Sequence, residues 1–174
     1  MDLGLTDKVV IVTGASQGIG KGIAEAFARE GCNVAICART ADDLEAAADD
    51  IRALGAEVLA VPMDVTDEGE PERLVAETAE RFGRIDIYAG NVGGNRRGDF
   101  EELSDEDWRD IIDLNLMSHV RTSRAAIPHM KEVGGGAICY VSSIFGRELG
   151  GAGLTLYNTT KSALISMSKI MAQE

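Results

Sequence analysis

Tyr157 and Lys161 are the residues whose types and spacing suggest chemistry most directly. A separation of four positions puts both side chains on one face of a helix, and the pattern from about Thr155 to the end of the chain is helical. An ammonium beside a phenol favours the phenolate, which eases proton exchange with a substrate oxygen. The alternative is an amphipathic helix that carries an exposed lysine and a half-buried tyrosine.

A glycine-rich turn with the sequence TGASQGIG, residues 13–20, follows the first apolar segment of the chain. Gly14 permits a tight turn, Gly18 lets the backbone approach a pyrophosphate, and Gly20 lets the next helix pack closely on a sheet. The N-terminus of that helix offers unpaired N–H groups and the positive end of its dipole to an anion. The turn therefore indicates dinucleotide binding, with a plain strand-to-helix connection as the alternative.

The chain alternates short apolar runs with longer segments of helical period, which is typical of a parallel sheet covered by helices on both faces. The predicted strands are Lys8–Thr13, Asn33–Ala38, Glu57–Met63, Ile85–Ala89 and Gly136–Ser142. These strands and the helices between them predict one α/β domain.

Several residues mark predicted helix ends. Thr40, Thr66 and Ser104 stand where the second, third and fourth helices begin, and each could cap the helix that follows. Glycines follow the ends of the first three helices, at Gly31, Gly55 and Gly83. The fourth helix is expected to turn one face inward, with the residues Trp108, Ile111, Ile112, Asn115, Leu116 and Val120.

Composition excludes several other classes of protein. The 174 residues carry a net charge of -12, which disfavours nucleic-acid binding, and no apolar run is long enough for a membrane span. Three unpatterned cysteines argue against disulfides and against zinc and fit a cytoplasmic location. His119 and His129 lack a metal-binding pattern, so we expect no metal site.

The turn TGASQGIG resembles the cofactor-binding turn of the short-chain dehydrogenase/reductase family. The resemblance continues through MDVTD, GNVGG, IIDLNL, Ser142-Ser143 and YNTTK, in order, from about residue 5 to the last residue. It implies a Rossmann-like, doubly wound parallel sheet with strand order 3-2-1-4-5. It also implies an NAD(P)(H)-dependent transfer of hydride between nicotinamide and a carbonyl or alcohol, and a 3-oxoacyl carrier-protein reductase is one candidate within the family.

The resemblance also implies catalytic roles. Tyr157 would be the general acid/base, Lys161 would tune it and touch the ribose, Ser143 would hold the carbonyl, and Asn115 would hold a water that relays protons. Ser142 is the alternative to Ser143, because neighbouring strand residues face opposite ways. A structural asparagine with satisfied hydrogen bonds is the alternative for Asn115.

Cofactor choice is expected to depend on the end of the second strand. Ala38 stands where NAD-using relatives carry Asp, and Arg39 suits the 2′-phosphate of NADP, although it could instead pair with Asp42 or Asp43. NAD is the second choice. The expected cofactor-binding residues are Gly14, Ser16, Gln17, Gly18, Ile19, Gly20, Arg39, Asp64, Val65, Asn91, Gly93, Tyr157 and Lys161.

Two departures from the family pattern matter. Gly90 replaces the first asparagine of the usual Asn-Asn-Ala-Gly, which puts that residue's bracing role in doubt. Relatives also usually continue beyond the Tyr-x-x-x-Lys helix with two more strands and a substrate loop, so we interpret residues 1–174 as a C-terminally incomplete domain. Its fifth strand would be an apolar edge, and the isolated chain would bind cofactor poorly.

The remaining expectations concern partners. The substrate would be a small carbonyl or alcohol, Arg96, Arg97 or Arg147 could attract an acidic one, and the protein would form a dimer or tetramer by analogy with the family. A non-catalytic NADP-binding sensor, or an inactive fragment, is the alternative to an enzyme.

Overall fold

A computed structural model describes residues 3–174, which form a five-stranded parallel sheet with helices on both faces. In chain order the elements are β1 (Val9–Thr13), α1 (Gly18–Arg29), β2 (Asn33–Ala38), α2 (Ala41–Arg52), β3 (Val58–Pro62), α3 (Glu70–Phe82), β4 (Ile87–Gly90), α4 (Asp105–Ile112), a π-helical segment (Asp113–Met117), α5 (Ser118–Glu132), β5 (Ala137–Tyr140), a 3₁₀ turn (Ile144–Gly146) and α6 (Thr155–Met171).

The strand order is β3-β2-β1-β4-β5, as predicted. In the central strand, Ile11 pairs with Ala35 of β2 on one side and with Tyr88 of β4 on the other. Every residue of β1 is buried, because helices cover both faces of the sheet. The carboxyl ends of the strands, where ligands bind in folds of this kind, therefore share one edge.

Two apolar layers hold the helices to the sheet. On the face covered by α1 and α2, the buried residues include Val10, Val12, Ala24, Ile36, Leu44 and Ile51. On the face covered by α3 and α5, they include Ile11, Val61, Leu74, Tyr88, Ala126 and Met130. The alternation of side chains along each strand divides the two layers, since neighbouring residues face opposite ways.

The helix ends agree with the sequence patterns in part. Ser104 caps α4 through a reciprocal capping box with Asp107, as expected for Ser followed by an acidic residue at the third helical position. Gly31, Gly55 and Gly83 adopt φ values of 81°, 95° and 73°, which glycine tolerates and other residues disfavour.

The prediction that Thr66 caps the third helix is wrong. The Thr66 hydroxyl and amide both donate to the Asp64 carboxylate, at 2.8 and 3.0 Å, and α3 begins only after Gly69. Thr40 does stand at the start of α2, but its side chain makes no capping hydrogen bond. The Thr66 hydroxyl cannot cap α3 because the nearby Asp64 carboxylate accepts its hydrogen bond instead.

The single fourth helix expected from the sequence is two helices joined by the π-helical segment at residues 113–117. The insertion rotates the chain so that Asn115 is fully buried. Ile111 is buried as expected, whereas Trp108, Ile112, Leu116 and Val120 are only half-buried.

β5 is an edge strand, and its outward residues Ala137 and Cys139 are exposed. Its four residues are fewer than the predicted seven-residue segment at 136–142. Across residues 3–174, the structure contains no helix whose length and apolar character would suit it to spanning a bilayer.

Asp86 ties the amino ends of β1 and β4 together, at the edge of the sheet opposite the carboxyl ends of the strands. Its carboxylate, only 5% exposed, accepts hydrogen bonds from the Lys8 ammonium, the Arg84 guanidinium and the Val9 amide. Burial disfavours the charged carboxylate, but these donors outweigh it and hold the pKa of Asp86 at about 2.

Because this pKa lies below that of an unfolded aspartate, Asp86 contributes stability above about pH 4 that is lost as the pH falls toward 2. We expect Asp86→Asn to lower the free energy of unfolding by about 2 kcal/mol at pH 7, with the difference shrinking below pH 4. Urea titrations from pH 7 to pH 2 measure this. Asp49→Asn, at an exposed ion pair with Arg52, is the matched control and should change stability by less than about 0.5 kcal/mol.

Candidate active site

Three glycines shape the turn between β1 and α1: Gly14 and Gly20 lie close to neighbouring backbone, whereas Gly18 is open. Gly14 adopts a φ of 66°, and its amide donates to the Cys37 carbonyl at the end of β2. A Cβ at Gly20 would lie 2.2 Å from the Gly14 carbonyl oxygen, so any side chain there would displace the turn. A Cβ at Gly18 would meet nothing within 4 Å, which leaves the backbone at Gly18 open to a ligand.

The first turn of α1 fits an anion. Its cap residue, Gln17, has an extended backbone and makes no side-chain capping bond, and its first turn contains no acidic residue. The N–H groups of this turn have no partner inside the helix and carry the positive end of the dipole. A dinucleotide's diphosphate matches these donors, so the turn fits the predicted cofactor.

Asn91, the first residue after β4, braces the glycine turn. Its side-chain amide donates to the carbonyl oxygens of Thr13 and Gly14, at 3.1 and 3.0 Å, and its backbone amide donates to the Thr13 hydroxyl. The expected cofactor residue Asn91 therefore holds the turn in shape from within the cleft wall.

A cleft of about 510 Å³ runs along the carboxyl ends of the strands from β3 to β5. Most predicted cofactor-binding residues line it, namely Gly14, Ser16, Gln17, Ile19, Arg39, Asp64, Val65, Asn91, Gly93 and Tyr157. Gly18 and Gly20 shape the turn at its rim without lining it. The sequence did not single out Val92, Leu114 and Val141, which also line the cleft.

A second cavity of about 380 Å³ adjoins the first. It is lined by Gly93, Gly94, Asn95, Arg97, Phe145, Leu154, Tyr157 and Lys161. Gly93 and Tyr157 line both cavities, so the phenol stands where they meet. Phe145 and Leu154 were also missed by sequence reasoning, since an apolar residue in a loop carries no signal of its own.

Lys161 is a buried cation, with 4% of its surface exposed. Its ammonium donates to the Val141 carbonyl at 2.7 Å, and among residues 3–174 no carboxylate pairs with it. Burial lowers the pKa of Lys161. The ammonium lies 5.8 Å from the centre of the Tyr157 ring, so the pair meets on one helix face as predicted.

Asn115 links the π-helical segment to Gly94, in the segment after β4, and to Thr160 on α6. Its side-chain oxygen accepts from the Gly94 amide at 2.8 Å, and its side-chain nitrogen donates to the Gly94 carbonyl and the Thr160 hydroxyl, each at 2.9 Å. These contacts satisfy the hydrogen-bonding groups of the Asn115 side chain, as the alternative of a structural asparagine requires. They also place its oxygen and the Lys161 ammonium beside the same residue, Gly93.

The two serines after β5 differ in how their hydroxyls are used. Ser142 lines the larger cleft, and its hydroxyl donates to the Lys161 carbonyl at 2.9 Å. The Ser143 oxygen accepts from the Phe145 amide, and within the described chain its own proton has no acceptor. Ser143 therefore keeps a donor for a ligand, although it lines neither cavity, and the choice between the serines stays a prediction.

Arg39 extends from the end of β2 beside Asp64. The side chain is 79% exposed, and its guanidinium lies 3.9 Å from the Asp64 carboxylate. The other Asp64 oxygen is held by Thr66. This is a loose contact, so Arg39 remains available to an anionic group in the cleft, and no ion pair forms with Asp42 or Asp43 within residues 3–174.

Comparison with known proteins identifies the family. The family model for short chain dehydrogenases matches residues 8–174. Oxidoreductase UcpA of Salmonella typhimurium is 38% identical over 98% of this chain and 64% of its own length. The 3-oxoacyl-[acyl-carrier-protein] reductase FabG of Staphylococcus aureus is 34% identical over 96% of this chain and 68% of its own length.

Solved structures agree. L-sorbose reductase from Gluconobacter frateurii, complexed with NADPH and L-sorbose, aligns with a TM-score of 0.96 and 37% identity, over 99% of this chain and 66% of that one. NADH-dependent reductase A1-R′, complexed with NAD, aligns with a TM-score of 0.93 and 30% identity, over 99% of this chain and 75% of that one.

The chain belongs to the short chain dehydrogenase family. Its Rossmann-like sheet and its strand order are those expected from the resemblance. The chain spans 64% of the length of the UcpA relatives.

The close approach at Gly20 generates a testable difference between two glycines of α1. Gly20→Ala should lower the free energy of unfolding by about 1–3 kcal/mol, because the new methyl group overlaps the Gly14 carbonyl. Gly22→Ala is the control, since a Cβ there meets nothing and alanine favours a helix by about 1 kcal/mol. Thermal unfolding of both variants measures the contrast. Equal stability of the two would show that the turn is not closed by this contact.

Proposed function

We propose that the protein is an NAD(P)(H)-dependent oxidoreductase that interconverts a carbonyl compound and an alcohol. The observation that carries this proposal is the position of Tyr157, which lines both cavities and lies beside the buried Lys161 ammonium, a cation that pairs with no carboxylate of residues 3–174. The larger cleft has the glycine turn and the acid-free helix terminus that a dinucleotide's diphosphate requires. The smaller cavity would then receive the substrate.

The roles of the side chains follow from their chemistry. The Tyr157 hydroxyl would give a proton to the substrate oxygen in reduction and take it back in oxidation. The Lys161 ammonium lies beside the phenol and, with donors to spare beyond its bond to the Val141 carbonyl, would bind a ribose hydroxyl. The free Ser143 donor would hold the substrate oxygen, and Asn115 would hold a relay water near Lys161. Nicotinamide, when bound, supplies or accepts the hydride.

We propose NADP(H) as the preferred cofactor, with NAD(H) as the second choice. Ala38 ends β2 without a carboxylate to accept a 2′-hydroxyl, and the exposed Arg39 guanidinium suits a 2′-phosphate. Asp64 and Val65 would contact the adenine. The NADPH complex of L-sorbose reductase supports this choice, while the NAD complex of the A1-R′ reductase shows that the same fold accepts either cofactor.

Three finer expectations belong to the same proposal. A 3-oxoacyl group on a carrier protein is one candidate substrate, supported by the identity to FabG. A cytoplasmic location and a dimer or tetramer are expected of the whole protein. The region 1–174 would act as one dinucleotide-binding and catalytic domain.

Replacement of the phenol tests the reaction. Tyr157→Phe should lower turnover at least about 100-fold, because the proton donor is lost, while NADPH affinity changes less than about twofold. Turnover is followed as NADPH oxidation with a panel of ketones, in the longest chain that contains residues 1–174. Tyr140→Phe, whose hydroxyl contacts Ser123 outside both cavities, is the matched control and should keep full turnover.

Absence of turnover in the unmodified protein, across ketones and alcohols, would contradict the proposed reaction. Intact NADPH binding in that case would favour the non-catalytic sensor.

Replacement of Arg39 tests the cofactor preference. Arg39→Leu should weaken NADPH binding about tenfold, since one charged hydrogen-bond donor to the 2′-phosphate is lost, and should change NADH binding little. Fluorescence titration of each nucleotide measures both affinities. Arg52→Leu, which removes an exposed arginine of α2 paired with Glu45 and Asp49, should change neither. An equal loss for both nucleotides would contradict a role at the 2′-phosphate.

A further inference from the structure

A buried histidine lies beneath the carboxyl end of β4, and the proposed reaction does not use it. His119, on α5, is fully buried and makes two hydrogen bonds. Its Nε2 lies 3.0 Å from the Val92 carbonyl oxygen, and its Nδ1 lies 3.0 Å from the Tyr88 hydroxyl.

These partners fix the proton on the imidazole. A carbonyl oxygen can only accept a hydrogen bond, so Nε2 of His119 must carry the proton and donate it to Val92. Nδ1 is then the acceptor for the Tyr88 hydroxyl. Burial, together with the nearby Lys161 charge, lowers the pKa of His119 to about 4, which agrees with a neutral ring.

The carbonyl that His119 holds belongs to the segment 91–94, which joins the two halves of the site. At one end of this segment, Asn91 is bonded to the glycine turn. At the other end, Gly94 exchanges two hydrogen bonds with Asn115. Between them, a Cβ at Gly93 would lie 3.2 Å from the Lys161 ammonium, so the segment passes directly against that cation.

His119 also explains the glycine at position 90. A Cβ on Gly90 would lie 2.7 Å from Nδ1 of His119 and 3.0 Å from the Tyr88 hydroxyl. The imidazole and the phenol thus occupy the space that a side chain at residue 90 would need. His119, from α5, therefore fills the space beside Gly90, the last residue of β4, which has no side chain of its own.

We propose that His119 is a positioning residue, which holds the Val92 carbonyl and so sets Gly93 against Lys161 at the junction of the two cavities. The expected effect on turnover rests on the proposed function. The expected effect on the backbone of residues 91–94 rests on the contacts alone. The glycine turn keeps its own brace through Asn91. Loss of His119 should therefore affect the reacting end of the site more than the binding of the diphosphate.

The kinetic test compares two substitutions at this position. His119→Leu removes the donor and should lower kcat about tenfold or more, with the KM for NADPH changed less than about threefold. His119→Gln keeps an N–H near the position of Nε2 and should recover kcat to within about threefold of the unmodified protein. His129→Leu is the matched control on the same helix, where the half-buried ring lies beside Glu132 and outside both cavities, and should change neither parameter.

The structural test needs no turnover. Hydrogen exchange followed by mass spectrometry, without cofactor, should show exchange in residues 91–94 at least about tenfold faster in His119→Leu than in His119→Gln, with β1 and β2 unchanged. Unchanged exchange in residues 91–94 of a folded His119→Leu protein would overturn the proposal. So would equal kinetic losses in the leucine and glutamine variants. Absence of turnover in every protein, with the exchange difference present, would count against the proposed reaction and not against the brace.

Discussion

The arrangement of the site depends on one constraint, the burial of the Lys161 ammonium. A cation that is 4% exposed and has no carboxylate partner within residues 3–174 is costly, and the Val141 carbonyl meets only one of its three donors. A fold tolerates such a charge where something else compensates it. The Tyr157 ring lies one turn earlier in the helix, with its centre 5.8 Å from the ammonium, and a ribose hydroxyl of a bound cofactor would offer an oxygen atom to a remaining donor.

The backbone around that cation is held from three directions. The glycine turn bonds to β2 through Cys37 and to β4 through Asn91. Asn115 reaches from the π-helical segment to Gly94 and also to Thr160, one residue before Lys161. Two of these contacts involve the short segment after β4, at Asn91 and at Gly94, so this segment links the glycine turn at one end to Asn115 at the other. The proposed reaction would use this link, because the hydride and the proton must reach neighbouring atoms of the substrate.

Local patterns in the sequence are sufficient to predict much of the fold and of the glycine turn. The order of strands follows from continuous apolar runs alternating with helices together with the family resemblance, and Gly14 and Gly20 were recognised because their roles are set by residues close in sequence. Thr66 was misassigned because Asp64, two residues away, captures its hydroxyl and delays the helix to Gly69. The π-helical segment was missed because one inserted residue leaves the apolar spacing almost unchanged. The sequence pattern argues against a metal site at His119 and indicates no other role for it, since its partners Tyr88 and Val92 are 31 and 27 residues away in the chain.

A crystal structure of the protein with NADPH would test the central claim most directly. We expect the diphosphate to lie against the backbone at Gly18 and the nicotinamide ribose to lie within hydrogen-bond distance of the Lys161 ammonium. A dinucleotide bound elsewhere, or a Lys161 side chain turned away to a carboxylate while NADPH is bound, would contradict it.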